Sequence, residues 1–402
     1  MKTILEINTT NYASTGNIML NIARKAKEEG FNVYTACKAS KESFKYRYEN
    51  QIIIGYRFER VISAILCSLT GLRDHFNIFG TYAFIREIKK INPDLIHLHV
   101  LHDDFVNTKI LFRYLAKLDK PIVWTFHDCC AFTGKCPCFD MVKCDKWKDG
   151  CFNCPQLHIE AKSYFFDTTK HIWNQRKKSF TGIKNLQIIT PSEWLRDLVK
   201  SSFFKNYATS VFNNGIDLTK FKPTTSSFRK DHNLSDKKIV LGIANVWGER
   251  KGLDVFIELA KRLPDDYKIV MVGTNDAVDA LLPNNILSIH RTYNQEELIK
   301  IYSAADVFVN PTREDNFPTV NIESLACGTP VITFNTGGSP EIIDDTCGTV
   351  VEKDDVDSLI KEINRVCTKM PYSKKTCTDR AKKYDMNIAF NQYIQLYKSL
   401  LY

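Results

Sequence analysis

The chain has 402 residues, room for two domains of ordinary size, and its 44% apolar and 25% charged content is that of a soluble globular protein. No run approaches roughly eighteen uninterrupted apolar residues and the opening MKTILEINTT lacks a signal-peptide pattern, so the expectation is a cytoplasmic chain. Charge is uneven: Met1 to Gly215 carries 31 Lys+Arg against 20 Asp+Glu and the remainder 24 against 26, so the first half calls for an anionic partner unless its charge serves only solubility.

In chain order, Thr3 to Asn8 reads as a strand, Thr9 to Gly16 as a polar loop, Asn17 to Gly30 as a helix and Asn32 to Ala36 as the next strand. A first strand-to-helix turn ending in Gly16 can bring backbone N–H groups toward a phosphate. Residues 58–91 are rich in Phe, Ile and Leu at helical spacing, with Arg57, Arg60, Arg73, Arg86, Lys89 and Lys90 interspersed. Such helices pack their apolar face on a core. The alternative is a basic amphipathic surface at a membrane interface, meeting a lipid-borne acceptor and anionic lipid.

Strands at 94–99 and 121–126 follow, the second running into His127-Asp128, where a histidine just past a strand's carboxyl end is well placed for a cleft. The stretch 129–155 holds seven of the thirteen cysteines. Disulfides are unexpected in a cytoplasmic chain, and Cys151-x2-Cys154 has zinc-knuckle spacing that Cys144 and Cys136 (or Cys138) could complete as a structural site; unbridged thiols are the competing reading. Strands at 186–190 and 208–212 lead to Asn213-Asn214-Gly215-Ile216-Asp217, and a polar run over 224–237 opens a second domain.

That domain begins with a strand at 238–244, a turn carrying Arg250-Lys251-Gly252, and a helix from Leu253 to Leu263, so that a cation beside a helix start could meet a diphosphate. After strands at 268–273 and 286–290 and a helix at 296–304 comes PTREDNFPTVNIESLACGTPVITFNTGGSPE, residues 311–341. It reads as strand (306–310), polar loop, helix (319–327), strand (330–334) and glycine loop: half of a nucleotide-binding sheet, with the ligand outside the strands' carboxyl ends. Asp315 and Glu323, eight positions apart, can face one cleft, and the Phe317-Pro318-Thr319 helix start favours anions; a solvated helix would show the same spacing. Helices at 356–369 and 386–402 close the chain.

The ordered run of an acidic loop with Asn316 and Phe317, seven residues to Glu323, Ala-Cys-Gly-Thr-Pro-Val and Gly337 to Glu341 resembles the E-x7-E signature of retaining GT-B glycosyltransferases of family 4. Val123 to Asp128, the NNGID…F turn and Lys251 before Gly252 resemble further segments of the same family, and Gly16 its first glycine loop. The resemblance implies an α/β fold of two Rossmann-like domains with parallel sheets facing a central cleft. The domains would be 1–217, carrying the Cys-rich insert 129–155, and 218–385, with the last helix, 386–402, packing back on the first.

It also implies sugar transfer from a nucleotide-sugar, a UDP- or GDP-sugar, to a hydroxyl of a glycan or lipid-linked acceptor, with retention and without a catalytic metal, as in bacterial surface polysaccharide synthesis. His127 and Asp315 would hold the donor sugar, Glu323 the ribose, and Lys251 with Arg250 the diphosphate; His99 and His102 fall in the acceptor-side loop. Asp315 stands where the family usually has Glu, which leaves the neighbouring Glu314 as the other candidate. Rival readings are a GT-B sugar-nucleotide epimerase, or a zinc-knuckle nucleic-acid-binding protein, for which the expected clusters of Arg and Lys with aromatics are absent.

Overall fold

Short Ile- and Val-rich runs bounded by polar turns are what a sheet buried on both faces requires, and here they build two wholly parallel sheets. The computed structural model describes residues 1–159 and 161–402. The chain divides into two units, Met1–Phe212 with Phe390–Tyr402, and Asn213–Ala389. Among the described residues no helix is long and apolar enough to cross a membrane.

The first unit's sheet runs β3-β2-β1-β4-β5-β6-β7, with β1 Thr3–Ile7, β2 Asn32–Lys38, β3 Gln51–Ile54, β4 Leu95–Leu98, β5 Ile122–Thr125, β6 Leu186–Thr190 and β7 Thr209–Val211. Strand order reverses between β1 and β4, where Glu6 pairs in register with His97. The carboxyl ends of β1, β4 and β5 therefore bracket the place where such sheets bind ligands. An aromatic cluster of Phe112, Trp124, Phe180 and Phe204 fills one face, and the Trp124 indole donates to the His99 carbonyl (2.9 Å), fixing the end of β4.

The C-terminal helix, Met386–Leu401, buries Phe390, Tyr393, Ile394 and Tyr397 at helical spacing. Tyr397 lies edge-on to Phe31 (6.4 Å) and Lys398 pairs with Glu29 (2.8 Å), so this helix packs back on the first unit as expected.

Two readings are corrected in this unit. Gly16 lies in the first turn of the Ala13–Glu28 helix, not in the loop before it. A Cβ there would stand 2.8 Å from the Asn11 carbonyl carbon, so glycine lets the preceding loop fold tightly onto the helix start. The apolar face of the Arg57–Thr70 helix is not packed on the core. It buries Glu59, Ser63 and Cys67 and turns Phe58, Val61, Ile62 and Ile65 outward. The Glu59 carboxylate explains the inversion: it accepts the N–H groups of Phe79 (2.9 Å) and Gly80 (2.8 Å), capping the Ile78–Ile91 helix.

The second unit's sheet runs β10-β9-β8-β11-β12-β13, with β8 Lys238–Ile243, β9 Tyr267–Val272, β10 Ile286–Ile289, β11 Val307–Asn310, β12 Val331–Phe334 and β13 Gly348–Val351. Its order reverses between β8 and β11. Gly252, at φ +73°, would place a Cβ 2.6 Å from the Pro311 carbonyl oxygen, so only glycine lets the turn after β8 touch the segment after β11. The chain enters and leaves this unit side by side, with Ile216 and Asp385 forming a parallel bridge.

Candidate functional site

In the second unit the polar groups converge just past β8 and β11. The Arg250 carbonyl accepts the N–H of Arg313 (2.8 Å) and the hydroxyl of Thr312 (3.3 Å), which ties the 249–252 turn to the loop after β11. This brings the Lys251 ammonium into an ion pair with the half-buried Asp315 carboxylate. Glu314 is buried, and its carbonyl accepts from Thr312 (3.1 Å) and Arg250 (3.4 Å). The glycine loop closes over the same place: the Gly338 N–H donates to the Asp315 carbonyl (3.1 Å), an approach that a Cβ at Gly337 would block at 1.8 Å.

Asn316 is half-buried, while Phe317 and Pro318 are buried and Phe317 packs on Tyr384 (5.7 Å). Pro318 offers no side-chain cap to the Thr319–Ala326 helix, so the helix's first N–H groups have no side-chain acceptor from that position. Glu323 stands one face along, taking a hydrogen bond from the Tyr302 hydroxyl (3.1 Å); burial pushes its carboxyl up to about 7. The structure thus assembles Arg250, Lys251, Asp315 and the 316–319 helix start around the ends of two strands, with Glu323 inside that helix.

In the first unit four aromatic side chains and one carboxylate form a chain of hydrogen bonds. Burial alone would raise the Glu6 carboxyl, but His97 and His99 beside it hold it down at about 2. Glu6 is therefore an anion that only accepts. It takes the Tyr397 hydroxyl (2.8 Å) and His99 Nε2–H (2.8 Å). Burial, followed by the neighbouring His97, pushes His99 down to about 4, so it is neutral with its proton on Nε2. His99 Nδ1 must then accept, and it meets His127 Nε2 at 3.0 Å. His127, held neutral chiefly by burial, donates from Nε2 and keeps Nδ1 as an acceptor. His97 sits behind, between Tyr397 (2.6 Å) and Thr125 (2.8 Å).

His102 pairs with Asp128 at 2.8 Å; burial would lower the imidazole, but that carboxylate wins and raises it. Buried Arg176 neutralises Asp74 (2.6 Å) and donates to the Cys130 carbonyl (2.6 Å), closing the floor under His102 and Asp128.

Gly16 lies in the helix after β1, not among these groups. Among the described residues, the groups whose ligand atoms converge within 4.8 Å are Glu6, His97 and His99, and His102, Asp128 and Cys130; Cys136, Cys144, Cys151 and Cys154 form no such set. Cys136 hydrogen-bonds to Cys154, which that contact pushes down to about 6, and Cys151 accepts the Gly134 N–H at 3.1 Å. Sequence reasoning missed Glu6, His97, Tyr302 and Tyr397. Glu6 carried a signal: a carboxylate inside the apolar strand ILEI must find buried partners.

The first 206 aligned positions fit a known pattern: residues 15–220 match the family model "Glycosyltransferase Family 4", and residues 224–384 match "Glycosyl transferases group 1". The chain is 24% identical over 355 residues to the "Putative colanic acid biosynthesis glycosyl transferase WcaC" of Escherichia coli, covering 86% of this chain and 85% of that one. It is 26% identical over 225 residues to the N,N'-diacetylbacillosaminyl-diphospho-undecaprenol alpha-1,3-N-acetylgalactosaminyltransferase of Campylobacter jejuni, covering 52% of this chain and 58% of that one. Among solved structures it resembles sucrose-phosphate synthase from Thermosynechococcus elongatus (TM-score 0.75, 18% identity, 100% and 99% covered). It also resembles Anabaena Alr3699/HepE in complex with UDP-glucose (TM-score 0.67, 14% identity, 100% of both covered).

Proposed function

The chain belongs to glycosyltransferase family 4, and on that footing we propose that it transfers a sugar, with retention and without a catalytic metal, from a UDP- or GDP-sugar to a hydroxyl of a glycan or lipid-linked acceptor in surface polysaccharide synthesis. The observation that carries this reading is the Lys251–Asp315 pair beside the 319–326 helix that bears Glu323, at the strand-order reversal of the second sheet.

Asp315 accepts hydroxyls of the donor sugar and Glu323 those of the ribose. Lys251, with Arg250 and the N–H groups at Thr319, balances the charge that grows on the diphosphate. In the reaction the bond from the anomeric carbon to the diphosphate oxygen breaks and a bond to the acceptor oxygen forms on the same face. The acceptor's proton goes to the departing phosphate, since no side chain is assigned as base. His127 holds the donor sugar through its accepting Nδ1.

The basic first half and the outward apolar face of the Arg57–Thr70 helix support peripheral association with anionic lipid at the inner face of the cell membrane. A structural zinc held by Cys136, Cys144, Cys151 and Cys154 belongs to the same reading. It is supported by the contact of Cys136 with Cys154 and by Cys151, whose thiol is pushed up by burial and further by the neighbouring Cys144 and Cys154.

Thermal-shift measurement across UDP-, GDP- and ADP-sugars tests the transferase reading, because a nucleotide that binds only the folded chain must raise its melting temperature. Stabilisation by one nucleotide series, with hydrolysis of the labelled sugar, is the expected result. A sugar-nucleotide that binds and is epimerised without transfer would instead favour the epimerase.

A further inference from the structure

Beside His127, the first unit has a cavity of about 30 Å³ whose polar groups the sugar transfer leaves unused. His102, Asp128, Cys130 and Asp74 stand on its wall, backed by Trp124, Phe126 and Phe180. That volume holds an ion or a water, and the aromatic backing keeps the groups in it from bulk solvent.

Three kinds of metal ligand meet there. His102 Nε2 lies 2.8 Å from Asp128 Oδ2, and these atoms and Cys130 Sγ all fall within 4.8 Å of one another. The backbone prepares the set. Asp128 Oδ1 accepts the Cys130 N–H (2.8 Å), which folds the Asp-x-Cys turn tightly at the end of β5. The Thr9 hydroxyl reaches the carbonyls of Val100 (3.0 Å) and His102 (2.9 Å), and Asp103 and Asp104 hold left-handed backbone at φ +90° and +55° directly after the histidine. A tetrahedral ion with bonds of about 2.0–2.3 Å sets nitrogen and oxygen about 3.3 Å apart and sulfur about 3.6 Å from nitrogen. The partly exposed His102 ring need move only about 0.5 Å to meet the first spacing.

Two further observations point to a ligand. Asp74 is buried with Oδ2 on Arg176 (2.6 Å), yet its Oδ1 finds no donor among the described residues. A buried carboxylate oxygen with nothing to accept is uncommon, and a water on the open position of an ion supplies the missing donor. The charges also fit. Asp128 and a Cys130 thiolate bring two negative charges, Asp74 and Arg176 cancel, and Asp103 is spent on Lys38, so the balance calls for a dication. Arg176 Nη1 stands 3.6 Å from Cys130 Sγ, where its N–H steadies a thiolate. An ion pair of His102 with Asp128 alone accounts for neither the sulfur nor the orphaned oxygen.

We propose that His102, Asp128 and Cys130 bind one divalent transition-metal ion of the zinc type, whose fourth position holds a water that donates to Asp74. On binding, the Cys130 proton leaves to solvent and the ion ties the loop after β4 to the end of β5. The ion is separate from the four-thiol set of the insert and is assigned no part in balancing the diphosphate. Imidazole, carboxylate and thiolate together select zinc or cobalt over magnesium, which takes oxygen ligands.

Cobalt titration of the purified chain tests this, with His102→Ala and Cys130→Ser beside the parent. His102 is partly exposed, so His102→Ala should fold as the parent does, and its melting curve without added metal checks that. The expected result is one equivalent of cobalt that His102→Ala binds about 100-fold more weakly. The difference spectrum between the two should show tetrahedral cobalt with a thiolate-to-cobalt band, and Cys130→Ser should lack that band. Added zinc should raise the melting temperature of the parent more than that of His102→Ala, and magnesium should move neither. Equal count and affinity of cobalt in the parent and His102→Ala would overturn the proposal. So would a His102-dependent spectrum without the thiolate band, or magnesium binding as tightly as zinc. Cobalt that is lost in Cys151→Ser but kept in His102→Ala would assign all the metal to the insert, and the site would fall.

Discussion

Replacing Glu6 by Gln changes little volume and removes one charge, yet it should reverse the direction of a hydrogen-bond chain that starts at a buried carboxylate of the first unit. In the native chain the anion at Glu6 forces the proton of His99 onto Nε2 and so fixes His127 with Nδ1 as an acceptor. A glutamine amide turned with its N–H toward His99 reverses both tautomers, and His127 then presents a donor. The loss of charge-assisted bonds from His99 and Tyr397 costs about 1.5–3 kcal/mol, or a fall of about 3–12 °C in melting temperature for a unit of this size. Turnover should drop about 10- to 100-fold if His127 accepts from the donor sugar. Binding of free nucleoside diphosphate, assigned to the second unit, should stay unchanged.

Acid titration supplies an independent check. His99 is depressed from 6.5 to about 4 in the folded chain, so the unfolded chain takes up its proton first. Its contribution, about 3 kcal/mol, is present above pH 6.5 and is lost as pH falls toward 4. Glu6, depressed from 4.5 to about 2, adds a further loss below pH 4.5. Native turnover and native melting in Glu6→Gln would refute the tautomer argument.

Three other outcomes follow from the second unit and the insert. With Glu323 at about 7, nucleotide affinity should weaken as pH falls below 7, because the ribose needs the ionised carboxylate, and Glu323→Gln should flatten that dependence in titration calorimetry. Asp315→Asn should depress turnover far more than diphosphate binding and Asp315→Glu should be tolerated; if Glu314→Gln is the damaging change instead, the sugar-binding acid is the buried neighbour. Purified chain should contain about one zinc by elemental analysis, and Cys151→Ser should loosen the first unit more than the second; metal-free protein of unchanged stability would leave reduced thiols as the reading.

The sheets were legible because their strands are buried on both faces and therefore read as unbroken apolar runs, as in Lys238–Ile243 and Val331–Phe334. Two edge strands escaped. Gln51–Ile54 is only four residues long and its three isoleucines follow a polar stretch, and Gly348–Val351, equally short, opens on a glycine, so neither run is long enough to declare itself a strand. The acid loop was legible because its residues are close in sequence. The histidine chain was not, since Glu6, His99, His127 and Tyr397 come from four distant segments and meet only through the pairing of the strands and the packing of the last helix against them. The Arg57–Thr70 helix was misread for a third reason: periodicity reports that two faces differ, not which of them points inward.

The bond between Glu6 and Tyr397 spans 391 positions. A growing chain makes the first unit's strands early, but the tyrosine that completes their buried anion is made only after the whole second unit. Until then Glu6 and its histidines lack one of their donors, and the first unit waits with an open polar seam. The interval is set by synthesis and by closure of a very long loop, so this unit should mature late and depend on chaperones more than its local contacts suggest. A chain cut before Phe390 would keep every strand of both sheets and still misassemble at the histidines, which makes the 390–402 segment an internal check that the second unit has been made.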